Sequence, residues 1–185
     1  MNRTEDVDVG YVPRNQGSIG AHGAPYIFGT MKIKIRRAKP EDAVKISNSH
    51  TASIRGLCTK DYNARQIAAW SNRKADSYRK AMATGETMFV AQVGERIAGF
   101  SATRDGVIRA VYVRPRFGGR GIGKELLRAV EKAAAKAGFA SVKLSSSLTA
   151  HSFYQAQGYQ TLRKTEFRFR DGTPVPCINM KKRLT

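Results

Sequence analysis

Apolar positions along the chain change period more than once. From Met31, the run MKIKIR alternates apolar and basic residues, the two-residue period of an edge or half-buried strand. Pro40, Glu41 and Asp42 then open a helix: proline is tolerated in the first turn, and acids favour the positive end of the helix dipole. Further helical stretches are expected around NARQIAAWSNRK and ADSYRKAMAT, the second stopped by Gly85. The pattern then turns strand-like through TMFVAQV, RIAGFSAT and VIRAVYV, with Gly94-Glu95 and Asp105-Gly106 as hairpin turns. Leu126, Leu127, Val130, Ala133, Ala134 and Ala137 return to one helical face, and Gly138 ends it. SVKLSSS reads as a strand and LTAHSFYQAQ as a short helix stopped by Gly158. YQTLRKTEFRF and VPCINMKK read as closing strands around Asp171-Gly172. An antiparallel meander followed by strand–helix–strand predicts an α+β fold: one mixed, mostly antiparallel central sheet flanked by helices.

Residues 1–30 show neither period. They are glycine-rich, contain Pro13 and Pro25, and read as a flexible extension, with Met31 as a candidate natural start. Residues 31–185 then form the domain. A chain of 185 residues that is 41% hydrophobic supports one such domain rather than two. Apolar runs are too short for a membrane span, and MNRTEDVDVG does not resemble a secretory signal. Cys58 and Cys177 lie too far apart in sequence to suggest a disulfide framework, which makes a reducing, cytoplasmic setting the default expectation.

Charge sharpens the picture. The net charge is +19, and residues 1–30 hold two basic and three acidic side chains, so the remainder carries +20. Such a charge reads either as a well-solvated basic surface or as the sign of an anionic partner: a polyphosphate cofactor, an acidic substrate or nucleic acid. The segment VYVRPRFGGRGIGKELL, Val111 to Leu127, is the best candidate for the first of these partners. A strand delivers the chain to Gly118, Gly119, Gly121 and Gly123, and a helix leaves them. The first N–H groups of that helix lack intrahelical partners and sit at its positive end. Glycine lets phosphate oxygens approach the main chain, and Arg116, Arg120 and Lys124 add charge. Gly118, Gly123 and Lys124 have P-loop spacing, but Glu125 stands where magnesium ligation needs Ser or Thr. The dinucleotide pattern also fails, because Lys124 occupies its third glycine position.

The same segment resembles the acetyl-CoA-binding motif of the GNAT acetyltransferase superfamily. That motif is a strand ending in Val-x-Pro, then (Gln/Arg)-x-x-Gly-x-(Gly/Ala), then an amphipathic helix. Val113-Arg114-Pro115, Gly121, Ile122 and Gly123 match it, with Gly118 departing at the Gln/Arg position. A second register through Arg116, Gly119 and Gly121 satisfies the formula but displaces Ile122 from the helix start. A second block, LTAHSFYQAQGYQTL, resembles the later family segment A-x-x-F-Y-x-x-x-G-(F/Y) at Ala150, Phe153, Tyr154, Gly158 and Tyr159. Ser147 stands where the family often has Asn. The resemblance implies acetyl-CoA as acyl donor and an amine as acceptor, and it allows a homodimer. It places the diphosphate on Gly118, Gly119, Arg120, Gly121, Ile122, Gly123 and Lys124, and the pantetheine along Val111, Tyr112 and Val113, where the central strand splays from its neighbour. It also implies Ser147 as a donor-side contact, an oxyanion donor in the main chain near Val111, and Tyr154 as the acid that protonates the leaving thiolate, with Phe153 expected to be the inward aromatic of their short helix.

No residue stands out as the base that deprotonates the amine. Asp105 is explained by its turn, Glu166 by a solvent-facing strand, and His151 by a helix surface. His50, Cys58, Tyr62 and Trp70 are candidates to line the acceptor pocket, with core packing the expectation for Trp70 and for Cys58. His/Cys spacings suggest no metal site. The alternatives are a basic nucleic-acid-binding module, although nucleic acid is not the expected partner, and an acyl-CoA-binding protein without transfer activity.

Overall fold

A computed structural model describes residues 33–184. The proposed extension 1–30, and Met31 and Lys32 of the first strand, lie outside the described residues.

The strands are β1 (Ile33–Arg37), β2 (Thr87–Val93), β3 (Arg96–Arg104), β4 (Val107–Val113), β5 (Ser141–Ser147), β6 (Gln160–Arg168) and β7 (Pro174–Arg183). The helices are α1 (Ala43–Leu57), α2 (Ala64–Trp70), α3 (Ala75–Ala83), α4 (Ile122–Lys136) and α5 (His151–Ala156). The described strands form one sheet in the order β1-β2-β3-β4-β5-β7-β6. Every neighbouring pair is antiparallel except β4 with β5. The architecture is therefore the α+β, mostly antiparallel sheet that the sequence predicts.

Two helical layers cover the sheet. Ser101 donates to the Leu126 carbonyl of α4 at 2.9 Å, while its neighbour Phe100 stacks on Tyr112 beside His50 of α1. Successive strand residues point to opposite faces, so α4 and α1 lie on opposite sides. On α4 the buried face is Ile122, Leu126, Leu127, Val130 and Ala134, as its period predicts. Ala133 is half-buried and Ala137 is exposed, because the helix ends there and Gly138 turns away at φ 90°. Leu126 and Leu127 each contribute about 2 kcal/mol of apolar burial.

Two boundaries and one burial assignment differ from the sequence reading. Pro40–Asp42 forms a 3-10 turn ahead of α1 rather than its first turn. There the Asp42 carboxylate accepts two hydrogen bonds from the Arg36 guanidinium, at 2.7 and 2.9 Å, and one from the Lys39 N–H at 2.8 Å. The α2 helix stops at Trp70, short of the expected stretch through Lys74, because hydroxyls on α1 recruit the carbonyls that follow. Thr51 donates to Ser71 O and Ser47 to Arg73 O. Phe153, expected to be the inward aromatic of α5, is only half-buried. Its neighbour Tyr154 takes the fully buried place.

Candidate functional site

The departure of β5 from β4 creates the site. These parallel strands share a single ladder position, Val107 with Lys143. Beyond it, β4 continues along β3 as far as Val113 paired with Gly99. β5 instead pairs with β7 along its whole length, from Ser141 to Ser147. The ends of β4 and β5 thus diverge. Opposite Ala102 and Thr103, β4 carries one extra residue, Arg109, a bulge that increases local twist.

Where β4 ends, Pro115–Phe117 makes a 3-10 turn and Gly118 begins the glycine run. Gly118 has extended φ/ψ, and its N–H donates to Pro115 O at 3.0 Å. Gly121 caps α4 at φ 73°, where non-glycine residues are strained, and open space surrounds the position a Cβ would take. No side chain caps the helix. The first intrahelical bond is Glu125 N–H to Gly121 O, so the N–H groups of Ile122, Gly123 and Lys124 lie ahead of the ladder. Positive charge accumulates here. The Arg114 guanidinium titrates below its ordinary value because of partial burial and then the nearby Arg116 and Arg96. This bare, basic helix start fits a diphosphate.

At the matching end of β5 stands α5. Tyr154 is fully buried and its hydroxyl has no hydrogen-bond partner among the described residues. Burial, and secondarily Glu131 on α4, hold its phenol well above the ordinary range, so it remains protonated. Ser147 is also buried, and its hydroxyl accepts from Ala150 N–H at 3.0 Å, shaping the turn into α5.

A cavity of about 680 Å³ opens elsewhere, at the beginning of β4 rather than at the glycine turn. Trp70, His50, Glu86, Arg109 and the β6–β7 hairpin line it. Val107 and Arg109 bring β4 to its wall, and Tyr112, fully buried, packs behind two of the lining residues. The Trp70 indole donates to the Tyr112 hydroxyl at 3.0 Å, and the His50 and Tyr112 rings lie 4.6 Å apart.

The family description "Acetyltransferase (GNAT) domain" matches residues 58–184. The chain belongs to the GNAT acetyltransferase family. It is similar to the uncharacterized N-acetyltransferase YafP of Escherichia coli K12, with 23% identity over 132 residues, which is 71% of this chain and 84% of YafP. A GCN5-related N-acetyltransferase structure from Rhodopseudomonas palustris aligns at TM-score 0.76 and 28% identity, over 84% of this chain and all of that one. The PaiA N-acetyltransferase of Thermoplasma acidophilum, in complex with coenzyme A, aligns at TM-score 0.65 and 20% identity, over 83% of this chain and 99% of that one.

Within this GNAT domain the sequence-derived residues divide into groups. Val111, Tyr112 and Val113 lie on the diverging end of β4. Gly118, Gly119, Arg120, Gly121, Ile122, Gly123 and Lys124 form the adjacent turn and helix start, and Ser147 and Tyr154 flank the end of β5. Of the proposed acceptor-pocket residues, His50 and Trp70 line the cavity. Trp70 is also a core residue, as expected, and Cys58 and Tyr62 are buried in the core without lining the cavity. Burial pushes the Cys58 thiol up to about 12 and the Cys177 thiol to about 11, so neither is a ready nucleophile. Among the base candidates, His151 Nε2 contacts Thr161 Oγ1 at 2.7 Å, and Glu166 pairs with Arg168. Asp105 makes the β3–β4 turn at φ 51° and pairs with Arg104 at 3.3 Å.

Two residues escaped the sequence reading. Gly56 lies on α1 where a Cβ would meet Pro115 Cγ at 2.6 Å, so its missing side chain seats the start of the glycine turn. A glycine inside a helical pattern was the available signal. Glu86 follows the α3 cap with no motif around it, yet its side chain is 6% exposed and 3.9 Å from Arg109 Nε. Only packing of α3 against the sheet makes it a cavity residue.

Proposed function

We propose that the chain transfers an acetyl group from acetyl-CoA to a primary amine by direct attack within a ternary complex. The divergence of β4 from β5, between the glycine turn and Tyr154, is the observation that carries this reading. The turn's N–H groups, with Arg120 and Lys124, hold the diphosphate. The end of β4, Val111 to Val113, hydrogen-bonds the pantetheine as an added strand would. Coenzyme A supplies the activated acyl thioester when bound.

The amine nitrogen attacks the thioester carbonyl carbon. A C–N bond forms, the C–S bond breaks, and the proton shed by nitrogen passes to solvent. Main-chain N–H near Val111 stabilises the charge that develops on the carbonyl oxygen. Tyr154 donates its proton to the departing sulfur in the transition state and regains one from solvent afterwards, as it must because a phenol titrates above a thiol's ordinary value near 8.5. A buried hydroxyl lacking a partner costs about 1–3 kcal/mol, so a group that accepts from Tyr154 only during turnover uses a donor already dehydrated. Inert thiols at Cys58 and Cys177 favour direct transfer over a covalent acyl-enzyme.

Calorimetric titration with coenzyme A, followed by thiol release from acetyl-CoA across a panel of amines, tests this reading. Saturable CoA binding and amine-dependent thiol release are expected. Absence of CoA binding by folded protein overturns it.

A further inference from the structure

The cavity beside β4 is charged asymmetrically. Among the described residues, six basic side chains line it: Arg73, Lys74, Lys80, Arg104, Arg109 and Arg170. Three acids oppose them, Glu86, Asp105 and Asp171. Glu86 is within 3.9 Å of Arg109, Asp105 is paired with Arg104, and the Asp171 carboxylate accepts from the Thr173 N–H and hydroxyl, both at 2.9 Å. Lys74, Lys80 and Arg170 are exposed at the rim, where the positive charge faces the cavity mouth. Trp70, Phe167 and Phe169 provide apolar wall.

The β4 bulge contributes directly. Val111 shares a face with Ser101, its pair, which bonds α4, while Tyr112 faces His50 with its own pair Phe100. Simple alternation would send Arg109 toward α4 with Val111. The extra residue brings Arg109 to the cavity instead. The chain as a whole is basic, but charges beyond about 8 Å are largely screened at physiological salt. Cations surrounding one concavity act together on a ligand inside it.

Resting on the transferase reading above, we propose that the acceptor is an amine that also carries an anionic group, a carboxylate or a phosphate, held by the basic rim of this cavity. The apolar wall accommodates the body of the molecule. Its amine approaches β4 from the face opposite α4, the side on which Arg109 enters the cavity.

Thiol release from acetyl-CoA is measured with matched amines: phenylalanine against 2-phenylethylamine, O-phosphoethanolamine against ethanolamine, and spermidine as a polycation. The anionic member of at least one pair is expected to show kcat/KM about tenfold or more above its neutral-tailed match, the scale of one charge-assisted hydrogen bond. The two pairs distinguish carboxylate from phosphate. Arg170→Glu is expected to raise KM for the preferred acceptor with kcat within about twofold and CoA affinity unchanged. Lys136→Glu, the same charge change at the exposed end of α4, is expected to change neither. Equal or better use of the matches or spermidine, or identical effects of the two variants, overturns the anionic-acceptor inference alone. CoA binding without thiol release to any amine overturns the transferase reading and this inference together.

Discussion

Tyr62 and Tyr154 are both buried, but their hydroxyls are in opposite states. Tyr62 donates to Pro176 O and accepts from Leu148 N–H, both at 2.8 Å, tying the α1–α2 connection to β5 and β7. Tyr62→Phe leaves two main-chain groups unpaired and is expected to lower stability by about 1–3 kcal/mol in urea unfolding. Tyr154 has no such partner to lose. Tyr154→Phe is expected to keep or slightly raise stability and leave CoA affinity intact, while turnover falls about a hundredfold or more. Full turnover in a folded Tyr154→Phe protein removes that residue from the mechanism. The sequence reading places Tyr154 on a short helix but takes Phe153 as its inward aromatic, and the structure buries Tyr154 instead. Packing of α5 beside Tyr159 decides that, with the Tyr154 and Tyr159 rings 5.5 Å apart.

The glycine turn with α4, and the Arg36–Asp42 anchor with β1, carry the consequences at the scale of elements. Gly121→Val strains a residue at φ 73° and also fills the space above the helix start, so it confounds folding with binding. Gly121→Asn tolerates the left-handed region and isolates the second effect. It is expected to weaken CoA binding about tenfold or more by calorimetry, with a small change in Tm. Bonds to Arg36, outweighing partial burial, hold the Asp42 carboxyl below the ordinary range. A carboxyl that titrates lower in the folded than in the unfolded chain stabilises the fold above its unfolded value, and that contribution fades as pH falls through the folded one. Asp42→Asn should therefore lower stability by about 1–3 kcal/mol at pH 7, with a smaller difference from wild type at pH 3. An undiminished difference at pH 3 contradicts this account.

For the whole molecule, the family match begins at residue 58, and the structural relatives named above cover 83–84% of the chain. We propose that residues 1–30 lie outside the catalytic domain. A chain beginning at Met31 is expected to shift Tm by less than the roughly 2–4 °C that 1 kcal/mol produces at this size, and to keep CoA affinity. A larger loss would give those residues a structural role. Among the described residues, no helix is long and apolar enough to cross a membrane.

The sequence by itself determined the order of elements, the α+β class and the position of the glycine turn ahead of α4. Each of those is written in local periodicity and in glycines that only local backbone geometry explains. That β4 leaves β5 was expected from the family resemblance and not from periodicity, while that Arg109 turns into a cavity and that Glu86 is buried within it were decided by tertiary structure alone. Strand pairing and burial depend on partners dozens of residues away, and neither leaves a period in the chain.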